Sequence, residues 1–442
     1  MERPRTGCRL QLALLVASLL VSVRAEAQFV TIELSYSNPG ARSMGFGGAF
    51  VPLADDATAA FANPSGLVQL TRPEVSAEGR RWSYSTPFTV GGRLEGVPSG
   101  IGLDTSVGLR IGESSLDING LSFLSFVYPT GDWSFAVYRH QLATFELNGQ
   151  VNALFADAPE PGGVGPGYAG VVRDQDLLYS FDLESVSYGI AVAYSLTEAF
   201  SLGVGLSLSE GSLLEVGEEY LPDDDSIESY FAAGSYLPER LAGRETVTVD
   251  GTDWTLNAGF LWSITPRWHL GGFYRQGPEF ELVAEHSAGP ADPVNSTGTL
   301  FSPAAFPDVY GIGLAYRSAG GGLTIAFEWD RVEYSTILDS LDPGFRDPGT
   351  GLEDGSELHL GAEYAFLSSS PVVALRLGVW LDPDHRVRSV GGSFSRALLR
   401  GGDDEIHYAM GLGLAFKRLQ IDVGLDLSDS RNMASASGIF SF

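Results

Sequence analysis

The stretch Phe200-Ser201-Leu202-Gly203-Val204-Gly205-Leu206-Ser207-Leu208-Ser209 alternates without a break: its even positions are large and apolar, its odd positions only Ser and Gly. A period of two marks a β-strand with one greasy face. In a soluble sandwich the opposite face usually carries more charge. Here it is small and weakly polar, which suits the inner wall of a barrel whose apolar face looks outward. The pattern recurs further along the chain. Leu358, Leu360, Ala362, Tyr364 and Phe366 alternate with His359, Gly361, Glu363 and Ala365, and Leu375, Leu377 and Val379 with Arg376, Gly378 and Trp380. Leu419, Ile421, Val423 and Leu425 likewise alternate with Gln420, Asp422, Gly424 and Asp426.

Fourteen segments read as strands, near 74–85, 118–128, 132–147, 183–196, 199–213, 246–264, 267–283, 308–317, 321–334, 356–366, 371–381, 404–416, 419–428 and 433–442. Short links such as Pro129-Thr130-Gly131, Thr197-Glu198, Thr265-Pro266 and Lys417-Arg418 alternate with long ones at 86–117, 148–182, 214–245, 284–307, 335–355 and 382–403. That order predicts an all-β fold: a transmembrane antiparallel β-barrel of about fourteen strands, with periplasmic turns and extracellular loops. Trp82, Trp133, Tyr194, Trp262, Trp268 and Tyr316 fall near strand ends, where aromatic girdles meet the two membrane interfaces. The final Ile439-Phe440-Ser441-Phe442 also alternates and ends on an aromatic, the usual mark of the strand that closes a bacterial outer-membrane barrel.

Arg3, Arg5 and Arg9 precede an apolar run from Leu10 to Val23, and Ala25-Glu26-Ala27 is a small-residue cleavage site, so residues 1–27 read as a secretory signal peptide. The run is too short to span a bilayer as a helix. Cys8, the one cysteine, leaves with the signal, and no disulfide or thiolate metal site is then available. The formal charge of −28 becomes −30 once the signal's four Arg and two Glu are removed. Such a surface argues against nucleic acid as a partner, because phosphate contacts need Lys and Arg. No later run is long and apolar enough for a membrane helix. For an exported chain only barrel closure would satisfy the backbone in lipid.

Residues 28–73 do not read as strands. They contain Gly40-Ala41-Arg42-Ser43-Met44-Gly45-Phe46-Gly47-Gly48-Ala49, then Ala54-Asp55-Asp56-Ala57 and Phe61-Ala62-Asn63-Pro64-Ser65-Gly66-Leu67. Asp55 or Asp56 can cap a short helix over Ala57–Phe61, which Asn63-Pro64 and Gly66 would end. This run resembles the N-terminal hatch of the FadL/TodX outer-membrane transporters. Two later stretches resemble the same family: Phe306-Pro307-Asp308-Val309-Tyr310-Gly311 with Tyr316, and Gly361-Ala362-Glu363-Tyr364 followed by Leu375-Arg376-Leu377-Gly378. The family usually has Asn-Pro-Ala where this chain has Asn63-Pro64-Ser65. The resemblance implies three regions: signal 1–27, hatch 28–73, and barrel 74–442 plugged by the hatch. Its motif residues would be Gly45, Gly47, Gly48, Asp55, Asp56, Asn63, Pro64 and Gly66. It also implies an outer-membrane location and passive uptake of a hydrophobic small molecule, a long-chain fatty acid or hydrocarbon, that leaves sideways past a kinked third strand. The other role implied is that of a barrel acting as protein-binding anchor or shuttle in type IX secretion.

The third candidate strand carries Trp133, Phe135 and Val137 on its outward parity, but that parity continues with Arg139 and Gln141. A cation facing mid-bilayer lipid costs about 2–4 kcal/mol, so the phase should break near Tyr138, Arg139, His140 and Gln141 by a bulge or lost pairing, unless Arg139 sits at the interface and snorkels. Strand parity turns Glu363, Arg376 and Asp422 inward, where they could pair with Arg42, Asp55 and Asp56. No H-E-x-x-H, G-x-S-x-G or βαβ glycine motif is present. The expectation is therefore a monomer without catalysis, cofactor or metal. Its partners would be the hydrophobic ligand, outer-membrane lipid and lipopolysaccharide. Acidic residues from Glu210 to Glu228 and at Asp403–Glu405 would lie in outer loops, serving solubility or bridging to lipopolysaccharide through divalent cations.

Overall fold

The computed structural model describes residues 36–94, 96–157, 170–292, 297–343, 345–346, 349–389 and 402–442. The signal segment 1–27 and hatch residues 28–35 lie outside the described residues. Fourteen antiparallel strands close into a barrel. They are β1 (Glu74–Arg93), β2 (Leu109–Thr130), β3 (Trp133–Val151), β4 (Asp176–Thr197), β5 (Phe200–Tyr220) and β6 (Leu241–Thr265). Next come β7 in two pieces (Trp268–Arg275 and Glu279–Ala288) and β8 in two pieces (Gly298–Ala305 and Val309–Arg317). The last six are β9 (Leu323–Val332), β10 (Gly355–Phe366), β11 (Val372–Asp382), β12 (Glu405–Ala415), β13 (Leu419–Leu427) and β14 (Arg431–Ser441). β14 pairs back onto β1 from Ser441 opposite Glu74 to Arg431 opposite Tyr84, so the sheet has no edge at this seam. The breaks in β7 and β8 face each other at Pro278 and Pro307, since proline has no N–H for the ladder.

All fourteen expected strands are present, and their alternation faces as the barrel requires. On β5, Leu202, Val204 and Leu206 are exposed while Ser201, Ser207 and Ser209 are buried. The outer ends, however, are longer than expected. β1 runs on to Arg93, β2 begins at Leu109, β5 reaches Tyr220, and Gly298–Ala305 is strand where a loop was expected. Glu210, Glu215, Glu218 and Glu219 accordingly lie on β5 and not in a loop.

The physical reason is a reversal of chemistry along single strands. Near their inner ends, apolar side chains point out and small ones in. Near their outer ends, Phe145 and Leu147 point in while Glu146 and Asn148 point out. On β4, Phe181 and Leu183 point in against Asp182 and Glu184, and on β6 Val247 and Val249 point in against Thr248 and Asp250. The same pleat thus meets lipid below and water above. The outer halves form a collar, largely polar outside and apolar within, with outward Leu214 and inward Glu215 and Glu245 as exceptions. The helix Ser335–Asp339, from the loop after β9, buries Ile337 and Leu338 in the collar's apolar cluster.

Val204→Arg places a cation in the lipid belt and should destabilise the barrel by about 2–4 kcal/mol in bilayer folding titrations. Ser212→Arg, four outward steps higher on the same strand, should cost no more than about 1 kcal/mol.

Candidate functional site

Residues 36–73 occupy the lumen as an irregular plug. It holds two short helices, α1 (Ala41–Gly45) and α2 (Ala59–Ala62), and a 3-10 turn at Pro64–Gln69. The helix expected over Ala57–Phe61 starts two residues later. Asp56 Oδ1 accepts from the Thr58 N–H at 2.9 Å and its hydroxyl at 2.5 Å, so the chain turns there before the helix begins. Asn63 is extended and ends it, and its Oδ1 accepts from the Ser65 hydroxyl at 2.6 Å.

An irregular backbone buried in a barrel must find partners for its polar groups. The wall's inward side chains supply them. Glu78 accepts from the Gly40 N–H at 2.8 Å and Glu328 from the Val51 N–H at 2.8 Å. Asn257 donates to the Phe61 carbonyl at 2.7 Å, Ser201 to that of Ser65 at 3.0 Å, and Ser125 to that of Ala57 at 3.0 Å. Asn63 Nδ2 bridges the hatch carbonyl of Val51 and the wall carbonyl of Phe260, both at 3.1 Å.

Close approach explains the glycines. Gly47 has φ +68, and a Cβ on it would come within 2.9 Å of Gly378 Cα on β11. Gly45 lies as tightly on Gly411 of β12, and a Cβ on Gly66 would strike the Ala54 carbonyl. Gly48 also has positive φ, and Pro64 is the first residue of the 3-10 turn.

The charged residues form one chain from wall to hatch, buried at Arg376, Asp422 and Asp56 and partly exposed at its other members. Asp422 meets Arg376 at 2.6 Å, Arg376 meets Glu363 at 2.6 Å, and Glu363 meets Arg42 at 3.3 Å. Arg42 meets Asp55 at 2.5 Å and Asp56 at 3.6 Å, and Asp55 meets Arg317 of β8 at 2.6 Å. Signs alternate along the chain, so nearly every buried charge has its counterion.

At hatch height the wall is interrupted between β2 and β3, in addition to the proline breaks within β7 and β8. The β2–β3 ladder runs from Thr130 opposite Trp133 to Phe123 opposite His140 and stops there, while β3 continues along β4 with a register shift between Gln141 and Ala143. β2 has its own shift at Ser122, since Glu78 and Gly79 of β1 face Phe123 and Leu121. Tyr138 and His140 point inward onto Phe61 of the hatch, with ring centroids 6.0 and 4.1 Å away. Arg139 is half-buried and donates to the Leu121 carbonyl beside the shift. Gln141 is buried, its Nε2 3.3 Å from Glu184. A cavity of about 20 Å³ lies between hatch and wall, lined by Phe61, by Leu142 at the shift, and by Arg275, Gly277, Pro278 and Pro307 at the breaks of β7 and β8.

No family model matches the chain, and no curated protein matches it in sequence. Solved structures do match. A FadL homologue of Pseudomonas aeruginosa superposes with a TM-score of 0.61 at 13% identity, over 94% of this chain and 100% of that one. The CymD monoaromatic hydrocarbon channel gives 0.55 at 16% identity, covering 93% and 99%. The toluene transporter TodX of Pseudomonas putida gives 0.55 at 15%, covering 92% and 99%. The chain has the FadL-type fold.

Sequence parity turned Glu363, Arg376 and Asp422 inward in this FadL-type barrel, but it missed most of the hatch's other supports. Glu78, Asn257, Arg275, Glu328 and Arg317 lie on strands, and the available signal was a charged or amide residue on the inward parity of an otherwise small face. Within the hatch, burial works to raise the Asp55 carboxyl, but Arg42 and Arg317 outweigh it and hold it at about 2. Burial pushes neighbouring Asp56 up.

A depressed carboxyl stabilises above its unfolded value and loses that contribution as pH falls through the folded one. Hatch anchorage through Asp55 should therefore be intact above about pH 4 and lost towards pH 2, read as protease sensitivity of the hatch in folded barrels. Arg376→Met strands the fully buried Asp422 carboxylate, while Glu363 keeps Arg42, and should cost about 3–5 kcal/mol in unfolding titrations.

Proposed function

We propose that this protein is an outer-membrane transporter that takes up hydrophobic small molecules, long-chain fatty acids or hydrocarbons, by passive diffusion and without chemistry. The reading rests on one observation: an apolar collar interior stands directly above a plugged lumen whose wall is unpaired on one side. A greasy molecule gains by leaving water for the collar, at roughly 25 cal/mol per Å² of apolar surface buried. The collar's inward Phe145, Phe181, Leu183, Val249 and Phe280 belong to one apolar cluster. The hatch blocks a straight water path, so the onward route is sideways, past Tyr138–Gln141 and Leu142 between β2 and β3.

The outward rim there is amphipathic. Leu121 is exposed, while Asp117 higher on β2 pairs with exposed Arg81 at 2.5 Å. Release at that height delivers the molecule to the acyl chains of the outer leaflet. The hydrocarbon cargo in the printed descriptions of CymD and TodX supports the same class of ligand here. The barrel acts as a monomer with its belt in lipid, its polar collar among lipopolysaccharide headgroups, and its acidic loop residues keeping the rim solvated.

Deleting Leu142, the residue bulged out of the β3–β4 register, keeps every other pairing of β3 and should close the gap. Uptake of radiolabelled oleate or toluene by cells carrying the deletion should then fall at least about tenfold, a change of 1.4 kcal/mol in the exit barrier. Full uptake by folded deletion protein would contradict the lateral route. Normal uptake in a knockout strain, together with loss of exported proteins, would move the assignment to a secretion anchor.

A further inference from the structure

Four inward side chains sit on two successive inward rungs of β9 and β10; Glu328 and His359 each bond the hatch backbone, but Asp330 and Glu357 make no such contact with the described hatch residues. Glu328 faces His359 and Asp330 faces Glu357 across the ladder. Like charges directly opposite in a sheet are destabilising, and this quartet brings three carboxylates together. Glu328 is fully buried, with one oxygen accepting from the Val51 N–H and its carboxyl beside those of Asp330 and Glu357, near the Arg275 guanidinium. Asp330 is 6% exposed, and its Oδ1 finds no hydrogen-bond donor. Burying unpaired carboxylate oxygen is expensive unless a cation or proton joins it.

The imidazole is posed as a ligand. His359 donates from Nδ1 to the Gly47 carbonyl of the hatch at 2.9 Å, which leaves Nε2 aimed at the carboxylates. Its ring stacks on Trp380 at 5.2 Å and is held in plane. A ring nitrogen tied to a backbone carbonyl while the other faces acidic oxygens is the outer-shell pattern of metal-binding histidines. Nε2 lies 3.2 Å from Glu357 Oε2 and 3.7 Å from Asp330 Oδ2. Tetrahedral zinc, with bonds near 2.0–2.1 Å, keeps its ligand atoms about 3.3 Å apart. One potential ligand atom from each of Asp330, Glu357 and His359 lies within 4.8 Å of the others. Beside them is a cavity of about 30 Å³, room for about two waters to complete the coordination.

We propose that Asp330, Glu357 and His359 form a binding site for one divalent transition-metal ion of the Zn²⁺ class, at the joint between barrel wall and hatch. The ion neutralises the carboxylate cluster. By fixing His359 with its proton on Nδ1, it also locks the bond to Gly47. This site is independent of the transported molecule.

The test uses the full chain, folded in detergent, stripped with EDTA and titrated with Zn²⁺ by calorimetry, with metal counted after desalting. Expected is one equivalent bound with a Kd of about 1 µM or tighter. Glu357→Gln and His359→Gln should weaken it by at least about a hundredfold, beyond what loss of an outer-shell partner costs. Heat-dependent gel mobility reports that each variant is folded, and partly exposed Glu357 provides a variant that leaves the buried Glu328 and Asp330 intact. Neutralising the exposed Asp223, Asp224 and Asp225, which pair with Arg240, should change nothing. Absence of stoichiometric binding, or binding unaffected by both single variants, overturns the proposal.

Discussion

Hydrocarbon offers no hydrogen bonds, and everything in this molecule follows from that. Each unpaired backbone N–H or C=O in lipid costs several kcal/mol, so a chain that crosses with strands must close its sheet. The seam between β1 and β14, paired from Glu74 to Tyr84, meets that demand. The break between β2 and β3 obeys it too. Pairing persists from the turn at Thr130 up to Phe123 and His140, and ends only where Arg139 can bond the Leu121 carbonyl and where outward residues turn to Asn119 and Asp117. Above that height water can satisfy the backbone, and the ladder is free to open.

The lumen sets a different problem. The hatch has little regular structure, so its polar groups depend on the wall. Side-chain amides, hydroxyls and carboxylates of the inner face satisfy them one by one, while glycine on both sides lets the two backbones touch. The charge chain from Asp422 to Arg317 then fixes the plug against β8, β10, β11 and β13 together. The chain's interior members each hold at least two partners, and at its buried end Asp422 depends on Arg376 for its cation. That is why a plug of such short helices can still be held in one place.

Much of this was legible in the residues, and the failures share one cause. The belt is readable because its outward face is greasy and its inward face small, as in Phe200–Ser209. The collar is not, because in 176–185 the same alternation holds with inside and outside exchanged, so a rule that equates apolar with outward ends the strand too soon. The phase break near Gln141 was visible because an outward Arg139 contradicts a lipid belt. The quartet of Glu328, Asp330, Glu357 and His359 was invisible for a simpler reason. Its members are neighbours through the β9–β10 register, and no linear spacing shows which rungs face each other.

The central claim is that the outward apolar side chains from Leu202 to Leu208 touch acyl chains while Glu210 and Ser212 stand in water. Nitroxides placed singly at 202, 204, 206, 208, 210 and 212 in reconstituted protein measure this through collisions with oxygen, which partitions into lipid, and with a water-soluble nickel chelate. Oxygen should dominate from 202 to 208 and nickel at 210 and 212. Nickel dominating at all six sites of the folded protein would contradict the account.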